Sequence, residues 1–118
     1  MISIIDDDES VRDATKGLLR SLGYGASAFA SAEDFLQSGR VDDTSCLITD
    51  VQMPGMSGVE LQSLLIAQGN RTPVIFMTAN PEHAIRAVAM NAGAVGVLSK
   101  PFKEQSLIDC LSTALNES

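Results

Sequence analysis

The chain has no tryptophan, one tyrosine and four phenylalanines among 118 residues. With so few aromatics, its core must be built mainly from Leu, Ile, Val, Ala and Met. Basic residues are also scarce, with eight Lys and Arg against fifteen Asp and Glu and a formal net charge of −7. Such a chain is repelled by phosphate backbones, which argues against direct nucleic-acid binding by this domain. Cysteine is limited to Cys46 and Cys110, far apart and outside any Cys-x-x-Cys motif. They read as free thiols in the core, with no disulfide framework, as suits a reducing cytoplasm. The N-terminus lacks a basic region, and its apolar run breaks at Asp6, so it is not a signal peptide. No segment approaches the roughly 20 apolar residues needed to cross a bilayer. The expectation is a cytoplasmic domain without membrane contact. A length of 118 residues suits one compact domain, and 45% hydrophobic content supplies its core.

What the chain does have is a repeated pattern of short apolar runs that end in charge. Met1 to Ile5 leads into Asp6-Asp7-Asp8, Cys46 to Thr49 ends on Asp50, and Val95 to Ser99 ends on Lys100. If these runs are parallel strands of one sheet, the charges meet on one edge. Open α/β sheets bind their ligands at that edge. Carboxylates converging with a lysine point to a divalent cation and a phosphoryl group.

Between these runs lie helix-like stretches. Glu9 to Leu22 predicts a helix with Val11, Ala14, Leu18 and Leu22 on one face, stopped by Gly23. Gly25 to Phe29 predicts a second strand, and Ser31 to Asp34 a helix cap ahead of Phe35 and Leu36. Ser45 to Asp50 is a third strand, and Val51 to Met56 a loop. Ser57-Gly58-Val59-Glu60 fits a capping box for a helix carrying Leu61, Leu64 and Leu65. Pro73 to Thr78 predicts a strand covered on both faces. Asn80-Pro81 opens a helix running to about Ala92, Val95 to Ser99 is a fifth strand, and Leu107, Ile108, Leu111 and Leu115 line a last helix. Five βα units in succession predict an α/β doubly wound parallel sheet, flavodoxin-like, with strand order 2-1-3-4-5. That order brings Asp6 to Asp8 and Asp50 to the reversal point of the sheet.

With Asp6-Asp7-Asp8-Glu9-Ser10-Val11-Arg12, Thr49-Asp50, Met53 through Gly58, Thr78-Ala79 and Lys100-Pro101-Phe102 in this order and spacing, the whole sequence resembles a receiver domain of a two-component response regulator. Ala87 to Ala94 further resembles the FixJ-type branch, which usually carries a C-terminal helix-turn-helix domain. The resemblance implies a single receiver domain over 1–118. Asp50 would be the phosphoacceptor, an ionised carboxylate attacking the phosphorus of a histidine kinase's phosphohistidine. Asp6, Asp7, Asp50 and the backbone carbonyl of Gln52 would hold Mg²⁺ or Mn²⁺, which favour oxygen ligands. Thr78 would bond a phosphoryl oxygen beside the small Ala79. Lys100, aimed inward by a cis Lys100-Pro101 peptide, would be the counter-ion. Such a domain modifies and demodifies itself and is no ordinary enzyme. Its expected partners are a histidine kinase and, once phosphorylated, a second copy of itself.

Asp8 and Glu9 are read instead as favourable charge at a helix N-terminus, His83 as solvent-exposed, and Met53, Met56, Met77 and Met90 as packing residues. One departure stands out. Receivers usually place Tyr or Phe three residues before the lysine, and this chain has Val97. The implied change on the face made by the helix over 80–92, the fifth strand and the last helix is therefore muted or rewired. Two other readings compete. A haloacid-dehalogenase-type phosphohydrolase would need a second Asp where Gln52 stands. The other is a stand-alone or pseudo-receiver interaction module, and a pseudo-receiver would not need the full set of Asp6, Asp7, Asp50, Thr78 and Lys100.

Overall fold

The computed structural model describes residues 1–78, 94–100 and 103–116. The helix expected over 80–92 with His83 and Met90, Ala79, the Lys100-Pro101 isomer, Phe102 and most of the Ala87 to Ala94 stretch lie outside the described residues. The described elements are β1 (Ile2–Ile5), α1 (Glu9–Ser21), β2 (Ala26–Phe29), α2 (Ala32–Gln37), β3 (Cys46–Asp50), α3 (Gly58–Ala67), β4 (Val74–Thr78), β5 (Gly96–Ser99) and α4 (Glu104–Asn116). All strand pairings are parallel, and the sheet order is β2-β1-β3-β4-β5.

The strands are short and apolar because helices cover both faces. Successive strand residues point to opposite sides, so each strand feeds two cores. Ile2, Ile4, Ile48, Ile75, Met77 and Leu98 join Leu19 of α1 and Leu107 and Leu111 of α4 on one face. Ile5, Leu47 and Phe76 join Phe35 of α2 and Leu61 and Leu65 of α3 on the other. Each such side chain contributes roughly 1.5–3 kcal/mol of burial, and the two layers fix where every strand ends. Cys46 belongs to the first layer as a buried free thiol, its pKa pushed up to about 12 by burial and by Cys110 nearby. Cys110 is half-buried, and burial raises its thiol pKa too, with Asp109 adding to the effect.

Local sequence explains the element ends. Asp8 is the N-cap of α1, accepting from Ser10 N at 2.9 Å and Val11 N at 3.4 Å. Ser31 caps α2, and Ser57 with Glu60 forms the expected capping box of α3. Such caps contribute about 1 kcal/mol each. One expected helix face needs correction. In α1 the buried residues are Thr15 and Leu19, with Val11, Leu18 and Leu22 half-buried, whereas Ala14 is exposed. Position 15 lies one turn from both Val11 and Leu19, so Thr15 rather than Ala14 falls on the buried stripe. In α3 the face includes buried Gln62 beside Leu61 and Leu65, and Leu64 is only half-buried.

Candidate functional site

Strand register sets the site. Ile5 of β1 stands opposite Thr49 of β3, so the next residue on each strand, Asp6 and Asp50, emerges on neighbouring strands at one edge. Asp50 pairs in register with Met77, and Thr78 with Ser99. One residue past β5, the Lys100 N–H donates to the Thr78 carbonyl at 2.8 Å. The structure thus brings Asp6, Asp7, Asp50, Thr78 and Lys100 to one end of the sheet, beside the point where strand order reverses.

Lys100 binds the two buried acids together. Its Nζ lies 2.7 Å from Asp50 Oδ2 and 2.6 Å from Asp6 Oδ2. The contact with Asp50 is an aligned hydrogen bond. The contact with Asp6 is not, which leaves Asp6 Oδ2 a buried oxygen held by charge without a hydrogen bond. The other oxygen, Asp6 Oδ1, accepts from Asp8 N at 2.9 Å. Burial raises the Asp6 pKa, and its bonds to Lys100 and Asp8 only partly offset that. Burial works against the charge on Lys100, but the hydrogen bond to Asp50, the close ion pair with Asp6 and the Coulomb attraction of both carboxylates raise its pKa overall. The site is therefore a charged triad short of positive charge: two carboxylates share one ammonium, and Asp7 stands exposed beside them.

That shortage and the donor set test whether a divalent cation fits. One oxygen each from Asp6, Asp7 and Asp50 lies within 4.8 Å of the others. Carboxylate oxygens at such spacing suit Mg²⁺, a hard cation that keeps several waters, and Asp6 Oδ2 is a buried acceptor with capacity to spare. Gln52 is in the adjoining loop with its side chain exposed, and its N–H donates to Asp50 Oδ1 at 3.2 Å. Asp50 itself is only 8% exposed, so access to it is narrow. Thr78 is buried at the end of β4. Val97 is half-buried, in register with Phe76, and packs into the α2/α3-side core.

Three further residues shape the site, although no role in it was assigned to them from the sequence. Arg12 Nη1 donates to the Asp6 carbonyl at 2.7 Å, tying α1 to the end of β1. Gly58 approaches the Asp50 carbonyl so closely that an added Cβ would lie 2.2 Å from its oxygen. Glu33 of α2 accepts from Met56 N at 3.2 Å in the loop after Asp50. Arg12 sits one helical turn past the Asp8 cap, a placement that could have flagged it. Gly58 and Glu33 had no such signal, since both read as ordinary first-turn residues.

Comparison with known proteins agrees with this geometry. Residues 2–112 match the sequence profile of the response regulator receiver domain family. Nodulation protein W of Bradyrhizobium diazoefficiens is 40% identical over 114 residues, covering 97% of this chain and 50% of that protein. The transcriptional regulatory protein FixJ of Azorhizobium caulinodans is 38% identical over 117 residues, covering 99% of this chain and 56% of that protein. The crystal structure of FixJ-N superposes with a TM-score of 0.88 at 34% identity, covering 99% of this chain and 94% of that one. The chain thus spans about half the length of these curated relatives. Sheet order, edge register and sequence agree, and the chain belongs to the receiver domains of two-component response regulators.

Proposed function

We propose that this chain is a receiver domain over 1–118 whose Asp50 accepts a phosphoryl group from the phosphohistidine of a histidine kinase. The observation that carries the reading is Lys100 Nζ bridging Asp50 at 2.7 Å and Asp6 at 2.6 Å on the edge where Asp7 also stands. An Asp50 carboxylate oxygen attacks phosphorus, and the P–N bond breaks with its electron pair staying on an imidazole whose other ring nitrogen carries a proton, yielding an acyl phosphate and neutral histidine. Asp6, Asp7, Asp50 and the Gln52 carbonyl would hold Mg²⁺ or Mn²⁺. The cation supplies charge neutralisation for the phosphoryl oxygens.

The protein's own groups do the rest. Lys100 pairs with the Asp50 carboxylate and then faces the added oxygens, and the Thr78 hydroxyl bonds one of them. Water later cleaves the acyl phosphate, so the domain is both substrate and catalyst of its own modification rather than an ordinary enzyme. The pull on Thr78 and Lys100, whose backbones are already joined, draws on β4 and β5 together. Val97 replaces the usual aromatic, so that pull acts without a swinging ring.

The output is transcription through a DNA-binding domain in a longer protein. That reading is supported by relatives about twice this length, one of them named as a transcriptional regulator. A histidine kinase, a phosphorylation-dependent homodimer and a cytoplasmic location complete the proposal. No described helix is long and apolar enough to cross a membrane. Incubation with a small phosphodonor and Mg²⁺, followed by intact mass, tests it. The wild type should gain one phosphoryl group and Asp50→Asn none; equal gain by both would end the proposal.

A further inference from the structure

The loop from Val51 to Ser57 carries Gln52 and follows directly on Asp50, so its position bears on the whole site. Both of its ends are fixed. Val51 N donates to the Met77 carbonyl at 3.0 Å, and Gly58 N to the Val51 carbonyl at 2.9 Å. Ser57 is locked into the capping box with Glu60. Its middle is more exposed, with Gln52, Pro54 and Gly55 all open to solvent.

A side chain from another element grips that middle. Glu33, in the first turn of α2, is 23 residues away in sequence, and its Oε1 accepts from Met56 N at 3.2 Å. Its Oε2 sits so close over Gly55 that an added Cβ there would lie 2.6 Å from it. Gly55 also has φ +78, a conformation open to glycine at little cost. The carboxylate therefore straddles the Gly55–Met56 step. Met53 and Met56 pack against the core layer that holds Phe35 of the same helix. A first-turn glutamate ordinarily serves its own helix. This one reaches out of its helix to a backbone N–H of the loop.

We infer that Glu33 is a positioning residue that ties α2 to the loop after Asp50 and so sets how tightly the site holds its divalent cation. The inference rests on the proposed function. Groups that orient a metal's ligands commonly change affinity 10- to 100-fold when lost. This bond is exposed and acts through a loop, so a weakening of roughly three- to tenfold is expected.

The test compares wild type, Glu33→Ala and Glu33→Gln by two measurements: amide hydrogen exchange over 51–57 in metal-free protein, and Mg²⁺ affinity by calorimetry. Glu33→Ala should exchange faster in that segment and bind Mg²⁺ more weakly by the stated factor. Glu33→Gln should stay near wild type, because its amide oxygen still accepts from Met56. Unchanged exchange and affinity in Glu33→Ala would overturn the inference. So would equal impairment of both variants, which would trace the effect to lost charge and not to the tie. A wild type that binds no Mg²⁺ would refute the proposed function, and hydrogen exchange would then decide the tie by itself.

Discussion

Replacing Gly58 with alanine should be among the most damaging single-methyl changes in this fold, and replacing Gly17 with alanine should be stabilising. At Gly58 the new Cβ would lie 2.2 Å from the Asp50 carbonyl oxygen and 3.1 Å from Phe76 Cε1. A carbon–oxygen contact settles near 3.3 Å, so the helix start and the strand end must separate by about 1 Å. Neither can yield cheaply. The obstacle is backbone at the end of β3, and Phe76 is fully buried. Overpacking typically costs about 1–3 kcal/mol, and a clash with backbone belongs at or beyond the top of that range. At roughly 4 °C per kcal/mol for a domain of this size, Tm should fall by about 12 °C or more. Gly17 is exposed in mid-α1 with nothing within 4 Å of its virtual Cβ. Alanine there should add about 0.5–1 kcal/mol. The assay is urea unfolding followed by far-UV circular dichroism, since the chain has no tryptophan. A Gly58→Ala protein within 1 kcal/mol of wild type would refute the close approach of α3 to Asp50, and with it this account of how Asp50 is placed.

The other predictions concern the charges. Asp6 has a raised folded-state pKa, so its contribution to stability is fully present below its unfolded pKa of 3.8 and is lost as pH rises through the folded value. Asp6→Asn should therefore raise metal-free stability near neutral pH, by about 1 kcal/mol, and flatten the acid limb of a stability–pH curve; a less stable variant at pH 7 would contradict the role of burial. Lys100→Met leaves two adjacent carboxylates without their shared cation and should cost about 3–5 kcal/mol at neutral pH, partly recovered on acidification. Thermal melts across pH would show both trends. Mg²⁺ at a hundred times its Kd should stabilise the wild type by about 2.7 kcal/mol; Asp7→Asn should lose most of that at the same concentration, and an undiminished shift would remove Asp7 from the metal set.

Much of the site was legible because chemistry and chain punctuation coincide. Asp50 and Lys100 each end an apolar run, and a parallel sheet forces such ends to one edge. The capping box at Ser57 and Glu60 and the cap at Asp8 are local devices, readable from a few residues. What escaped was tertiary. Thr15 faces the core because of its position on the stripe, despite its hydroxyl, and Gln62 likewise. Gly58 looked like one more helix-start residue, since nothing local reveals that Asp50's carbonyl lies against it. Glu33 reads as a helix-start charge until α2 is seen packed beside a loop 23 residues later. Local rules also left open how Lys100 divides its charge, which only the distances to Asp6 and Asp50 settle.

The central claim is that four strand ends build one site with Asp50 as the phosphoryl acceptor. Site mapping tests it most directly. After phosphorylation with a small donor and Mg²⁺, borohydride reduction converts an aspartyl phosphate to homoserine, which peptide mass spectrometry locates. The account predicts homoserine at position 50 alone, dependent on Mg²⁺ and much diminished in Lys100→Met. Modification at Asp6 or Asp7, phosphate retained on His83, or no labelled residue at all would contradict it.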